Sequence, residues 1–135
     1  MRPRLSFNID ESQKLVVIRY IGNLPGDKII TDLSGHLKAM QSPWLYDMVF
    51  DLRRFEGFVP FEELSLLAIE WATIAKGRDK GRKVGIISED PLTHARFSAY
   101  QQEFPTREFR VFRDYGATAA WISGTEPSEA PPLAS

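Results

Sequence analysis

Residues 83–91 read Lys83-Val84-Gly85-Ile86-Ile87-Ser88-Glu89-Asp90-Pro91, and this stretch decides the fold. Lys83 to Ser88 is apolar on both parities, the pattern of a strand covered on both faces. Asp90 then offers a carboxylate to cap the first free amides of a helix, and Pro91 presets φ at the first helical position. A two-sided strand running directly into a helix is the repeating unit of a parallel sheet. Gly85, with no side chain, would let a helix sit close to that strand.

The alternation recurs on both sides of this stretch. Residues 5–9, LSFNI, and Lys14 to Ile21, KLVVIRYI, read as two strands of a hairpin, the second buried on both faces. After the break Gly22-Asn23-Leu24-Pro25-Gly26, Asp27 is predicted to cap a helix over 27–41, with Ile29, Ile30, Leu33, Leu37 and Met40 on one stripe. Ser42-Pro43 stops it, and Tyr46 to Leu52 is the next strand. A second helix starts near Pro60, with Glu62 and Glu63 in its first turn, and runs to about Lys76. Its broad apolar face (Phe61, Leu64, Leu67, Trp71, Ala72 and Ala75 among others) is expected in the core. Downstream of Asp90 one helix is predicted to about Glu103, with Phe97, Tyr100 and Phe104 on one side and Pro105 at its end. Glu108 to Phe112 is a strand, and Asp114 caps a last helix through Trp121. The expected fold class is α/β, a small mixed and mostly parallel sheet: an N-terminal hairpin, three αβ units and a final helix.

Composition narrows the chemistry. The 135 residues, 43% hydrophobic and 26% charged, are enough for one domain with a real core. Cysteine is absent, which removes disulfides, thiolate metal sites and a cysteine nucleophile. The two histidines, His36 and His94, lack a partner at metal-ligand spacing, so no metal or other cofactor is expected. A net charge of −1 gives no general attraction to nucleic acid. No apolar run approaches the ~20 residues of a membrane span, and no signal core follows the basic N-terminus. A cytoplasmic protein is expected. The domain is assigned to residues 1–122. Residues 123–135, SGTEPSEAPPLAS, with three prolines and no large apolar residue except Leu133, are expected to form a disordered tail. Because Glu126 and Glu129 lie in that tail, the body carries 17 basic against 16 acidic residues.

Three strings, in order, resemble the STAS superfamily, in particular the proteins described as stage II sporulation protein AA-like. They are Asp51-Leu52-Arg53-Arg54-Phe55-Glu56-Gly57-Phe58, then Arg82 to Asp90, then Glu108 to Phe112 followed by Ala120-Trp121-Ile122. The resemblance spans about 15–122. It implies a βα superhelical unit, related to anti-sigma-factor antagonists and to the CRAL-TRIO lipid-binding fold, and a regulatory or binding role. The departure is specific. Those antagonists carry a phosphorylatable serine in the loop after the equivalent strand, whereas no hydroxyl lies between Asp51 and Pro60 here, and Ser65 is a turn too far on. The usual phosphate switch is therefore expected to be absent. Glu56 could stand in as a constant charge near a helix N-terminus, although a solvated loop residue explains it more simply.

Ligands in open α/β sheets favour the loops beyond the carboxyl ends of the strands. These loops hold Asp51, Arg53, Arg54, Glu56, Glu89, Asp90, Thr93 and His94, a set that could serve an active site but shows no recognised catalytic spacing. Helix capping and surface charge account for most of it. Phe55, Phe58, Val59 and Phe61 make the connection after the second parallel strand unusually apolar, either as a binding rim or as a flap over the core. Leu66 and Ile69 face away from the predicted core side of the second helix. Phe55, Glu56, Phe58, Phe61, Leu66 and Ile69 are therefore the candidate ligand or partner surface. Lys76, Arg78, Lys80 and Arg82, followed by Lys83, are a possible anion patch, or a solvated helix end. The leading expectation is a non-enzymatic regulatory or protein-interaction module that forms a homodimer. The alternative is a carrier or sensor of a small apolar or lipid-like ligand, for which a dry cavity of about 300 Å³ or more is expected. An enzyme using strand-end carboxylates is the third reading and requires a polar cleft with a perturbed carboxylate.

Overall fold

A computed structural model describes residues 2–57 and 59–125; Phe58 and the predicted tail from residue 126 onward lie outside the described residues. The elements are β1 (Arg4–Asp10), β2 (Leu15–Ile21), α1 (Gly26–Ala39), β3 (Asp47–Asp51), α2 (Phe61–Ala75), β4 (Lys83–Ile87), α3 (Pro91–Ala95), α4 (Phe97–Glu103), β5 (Glu108–Phe112) and α5 (Tyr115–Ser123). The strands form one sheet in the order β1-β2-β3-β4-β5. β1 and β2 are antiparallel, and β2, β3, β4 and β5 run parallel. No helix among the described residues is long and apolar enough to cross a membrane.

The order explains the layering. Parallel strands that advance in one direction through right-handed crossovers put every crossover helix on the same face. Val16, Ile18 and Tyr20 of β2, Met48 of β3, and Val84 and Ile86 of β4 accordingly meet Ile29, Leu33 and Leu37 of α1 and Trp71 and Ala75 of α2 in the main core. Tyr100 and Phe104, on and just beyond α4, pack at its margin. The opposite parity (Val17, Val49, Ile87) forms a smaller core against Tyr115 and Ile122 of α5. This is why β2, β3 and β4 read as apolar on both parities.

Several local expectations are corrected. α1 starts at Gly26 with Pro25, extended at φ −64°, in the capping position, so Asp27 is a first-turn acid and not the cap. The expected helix over 91–103 is broken at Arg96 (φ −90°, ψ 7°) into α3 and α4. The guanidinium of Arg96 donates to the Val59 carbonyl at 3.2 Å, which anchors the break to the loop after β3. α2 contacts the sheet along a narrow arc of Leu64, Trp71 and Ala75, so Phe61 (52% exposed) and Ala72 face solvent and are not core. Asp90 and Asp114 cap α3 and α5 as predicted, accepting from Leu92 N and Ala117 N.

Gly85 sets the approach of α5. A Cβ at position 85 would lie 2.5 Å from Thr118 Cγ2, and Thr118 is fully buried, its hydroxyl donating to the Asp114 carbonyl at 2.8 Å. Gly85→Ala is therefore expected to cost about 1–3 kcal/mol of stability by overpacking. Thr118→Ser, which keeps the hydroxyl and removes the clashing methyl, should recover much of that loss in the double variant. Urea denaturation of the four proteins checks this, and simply additive losses would show that the clash is not the cause.

Candidate functional site

The carboxyl ends of β3, β4 and β5 bring Asp51, Arg53 and Glu89 of the predicted set together with Asp114. Asp51 is buried at the end of β3. Arg53 grips it in a fork, Nε to Oδ1 at 2.9 Å and Nη2 to Oδ2 at 2.8 Å, and donates its backbone N–H to Oδ1 at 3.2 Å. Arg19 of β2 adds a third cationic contact at 3.5 Å. Burial works to raise the Asp51 pKa, but the Arg53 hydrogen bonds and the two positive charges outweigh it and hold the carboxyl below its usual range. Glu89 and Asp114 also act electrostatically on Arg53. His94 donates Nε2–H to the Ser88 carbonyl at 2.7 Å, the carbonyl being able only to accept. His36 is exposed and stacks on Phe7. A carboxylate saturated by arginine is a tie for its loop. General acid–base work at neutral pH calls for a pKa near 7.

The loop after β3 folds back over the main core. Gly22 donates to Arg54 O at 2.9 Å and accepts from Glu56 N at 2.8 Å, so the loop extends the pairing with β2 past the end of β3. Phe55 packs edge-on against Tyr20, with ring centroids 5.3 Å apart, and Val59 also joins the core margin. Gly57 admits this ring, because a Cβ there would lie 2.9 Å from it. Glu56 is exposed. The six candidate surface residues thus separate. Phe55 turns inward, Phe58 lies outside the described residues, and Phe61, Leu66 and Ile69 project from α2 at 52%, 51% and 64% exposure.

The basic run also divides. Arg78 donates to the Ala75 and Ile74 carbonyls at the end of α2 and stacks 3.4 Å from the Trp44 ring. Arg82 donates to Leu45 O at 3.2 Å, and Lys83 to Trp121 O at 2.8 Å. Lys76 and Lys80 are exposed. The acid among them, Asp79, is 1% exposed and was not singled out by the sequence reading. Its Oδ2 accepts from Trp71 Nε1 at 2.6 Å and from Arg107 Nε at 2.9 Å. The Arg107 side chain, only 2% exposed, lies against the Trp71 ring. Burial raises the Asp79 pKa, but bonds from Trp71, Thr106 and Arg107 and the charge of Arg107 more than offset it, so Asp79 stays ionised. Burial lowers that of Arg107 against the pull of Asp79. Both terminal guanidinium nitrogens, Nη1 and Nη2, are buried with no hydrogen-bond partner among the described residues.

Arg107 lines a cavity of about 110 Å³ between the sheet, α1, α2 and α4. Leu52, Val59 and Glu63 line it beside the start of α2, and Trp71 and Phe109 line it beside the far end. Its walls are almost wholly apolar, with Leu33, Phe50 and Leu67 among them. It is smaller than the 300 Å³ expected for a carrier, because Tyr20, Trp71 and Phe104 fill much of the space between the layers. Burial raises the Tyr20 pKa further from neutrality, and the nearby Tyr100 adds to this, so Tyr20 lines the cavity as a neutral phenol.

No family model matches the chain, and no curated protein matches it. Among solved structures it is similar to an uncharacterised protein of the DUF3478 family from Shewanella loihica PV-4, described as having a SpoIIAA-like fold. The TM-score is 0.62 at 16% identity, over 90% of this chain and 96% of that one. The fold is therefore SpoIIAA-like, in agreement with the resemblance carried by the three sequence strings.

The Asp51 tie has a pH signature. A carboxyl whose folded pKa is depressed stabilises the fold above its unfolded value near ~3.9, and that contribution is lost as pH falls through the folded pKa. Asp51→Asn should cost about 1 kcal/mol at pH 7, a modest figure because the Arg53 partner is partly exposed. The gap from wild type should close as pH drops below ~3.9. Denaturation curves from pH 7 to pH 2 measure it, and a gap that stays constant would contradict the assignment.

Proposed function

We propose that the protein is a non-enzymatic interaction module that works as a homodimer through the outer face of α2. The observation that supports this is the row Phe61, Leu66 and Ile69, three large apolar side chains each more than half exposed on one helix. No described element covers that side. The surface is otherwise mixed in charge and the net charge is −1, so little electrostatic repulsion opposes self-association. The strand-end carboxylate, tied down by Arg53, favours a binding role over acid–base catalysis. A cytoplasmic setting belongs to the same reading.

A second reading, carrier or sensor of a small apolar ligand, is favoured by the cavity behind α2. At about 110 Å³ it is of the order of apolar cavities that bind a benzene-sized guest, and it is too small for a bulky lipid.

Sedimentation equilibrium tests the first reading. Wild type is expected to dimerise, and Leu66→Glu/Ile69→Glu to be monomeric with thermal stability changed little, since both side chains are exposed in the protomer. A wild type that remains monomeric, or a double variant that still dimerises, would overturn the proposal.

A further inference from the structure

We infer that the cavity behind α2 is a site for a straight-chain monocarboxylate, its carboxylate held by Nη1 and Nη2 of Arg107 and its chain running toward Val59; this rests on the carrier reading above. Two observations meet here. The first is the buried guanidinium. Its Nε is committed to Asp79 and its stacking face to Trp71, yet its two terminal nitrogens have no acceptor among the described residues. Donors buried without partners cost free energy, and charged donors cost most. The paired N–H groups of a guanidinium present a flat fork that matches the two oxygens of a carboxylate.

The second is the shape and chemistry of the space that Arg107 lines. Glu63, Leu64, Leu67 and Trp71 line it along one side of α2, a length of roughly 12 Å at the rise of a helix. About 110 Å³ spread over that length is a narrow slot, suited to an unbranched chain. Asp79 Oδ1 is also buried without a hydrogen-bond partner among the described residues, so unpaired polar atoms of both signs gather beside Arg107 while the walls of the slot are almost wholly apolar. Asp79 balances the charge of Arg107 in the empty site. Asp47 and Arg82, the other charged groups that act on Arg107, oppose one another in sign. Within the lining, an entering anion meets the fork at one end and Glu63 about two helical turns away.

Isothermal titration with butanoate and 1-butanol, guests of about the size the cavity admits, tests the assignment. Wild type should bind butanoate at least about tenfold more tightly than 1-butanol, the difference that one charge-assisted pair supplies. Arg107→Lys, which keeps a cation beside Asp79 but removes the fork, should narrow that preference. The neutral pair Arg107→Met/Asp79→Asn, which leaves an oxygen for Trp71, should abolish it. Equal binding of the two compounds by wild type, or an undiminished preference in either variant, would overturn the carboxylate assignment and leave the carrier reading standing. Failure of wild type to bind either compound would overturn both.

Discussion

The hydrogen bonds that Asp79 accepts from Trp71 and Arg107 are the constraint on which the rest of the main core depends. They join the C-terminal half of α2 and the connection that follows it to the residue that leads into β5, 28 residues further on. Removing either ion alone would leave the other buried and uncompensated, a loss of about 3–5 kcal/mol. Keeping both need not stabilise the fold, because desolvating two charges offsets most of their attraction. A cluster that ties a helix to the lead-in of β5 and leaves two buried donors without partners on a residue that lines a cavity makes sense as part of a binding site.

The two faces of the sheet divide the chemistry. One-directional strand order puts α1, α2 and α4 over one face, and the apolar slot lies between these layers. On the other face α5 packs close over Gly85, and the ion pair of Asp51 and Arg53 closes the end of β3. The strand-end loops, where ligands of open α/β sheets are usually sought, are thus occupied by structural ties, and the unpartnered atoms of Asp79 and Arg107 lie at the opposite end of the strands. The three most exposed large apolar side chains among the described residues, Phe61, Leu66 and Ile69, all belong to α2.

Much of this was legible in the residues. The two-sided apolar strands, the cap at Asp90 with Pro91 behind it and the cap at Asp114 are local signals, and each produces the element it implies. Gly85 also spoke locally, through the side chain it lacks. The misreadings arose where a distant partner decides. Nothing near Arg96 marks a break, because its cause is the Val59 carbonyl 37 residues away. Asp79 sits among Lys76, Arg78, Lys80 and Arg82 and looks like the one acid of a solvated basic run. Its burial depends on Arg107, 28 residues on, and on the indole of Trp71. Within the same run Arg78 and Arg82 reach carbonyls of neighbouring segments, while Lys76 and Lys80 are exposed, a division that the residue types do not announce. A glutamate or arginine carries no local mark of whether it will meet water or a partner.

The buried pair of Asp79 and Arg107 is kept, on this view, for what it binds and not for the stability it adds. The unfolding free energy of Arg107→Met/Asp79→Asn against wild type in urea at pH 7 decides the matter. A double variant as stable as wild type, or more stable by about 1–4 kcal/mol, is expected. A loss of several kcal/mol would identify the pair as structural cement and contradict it.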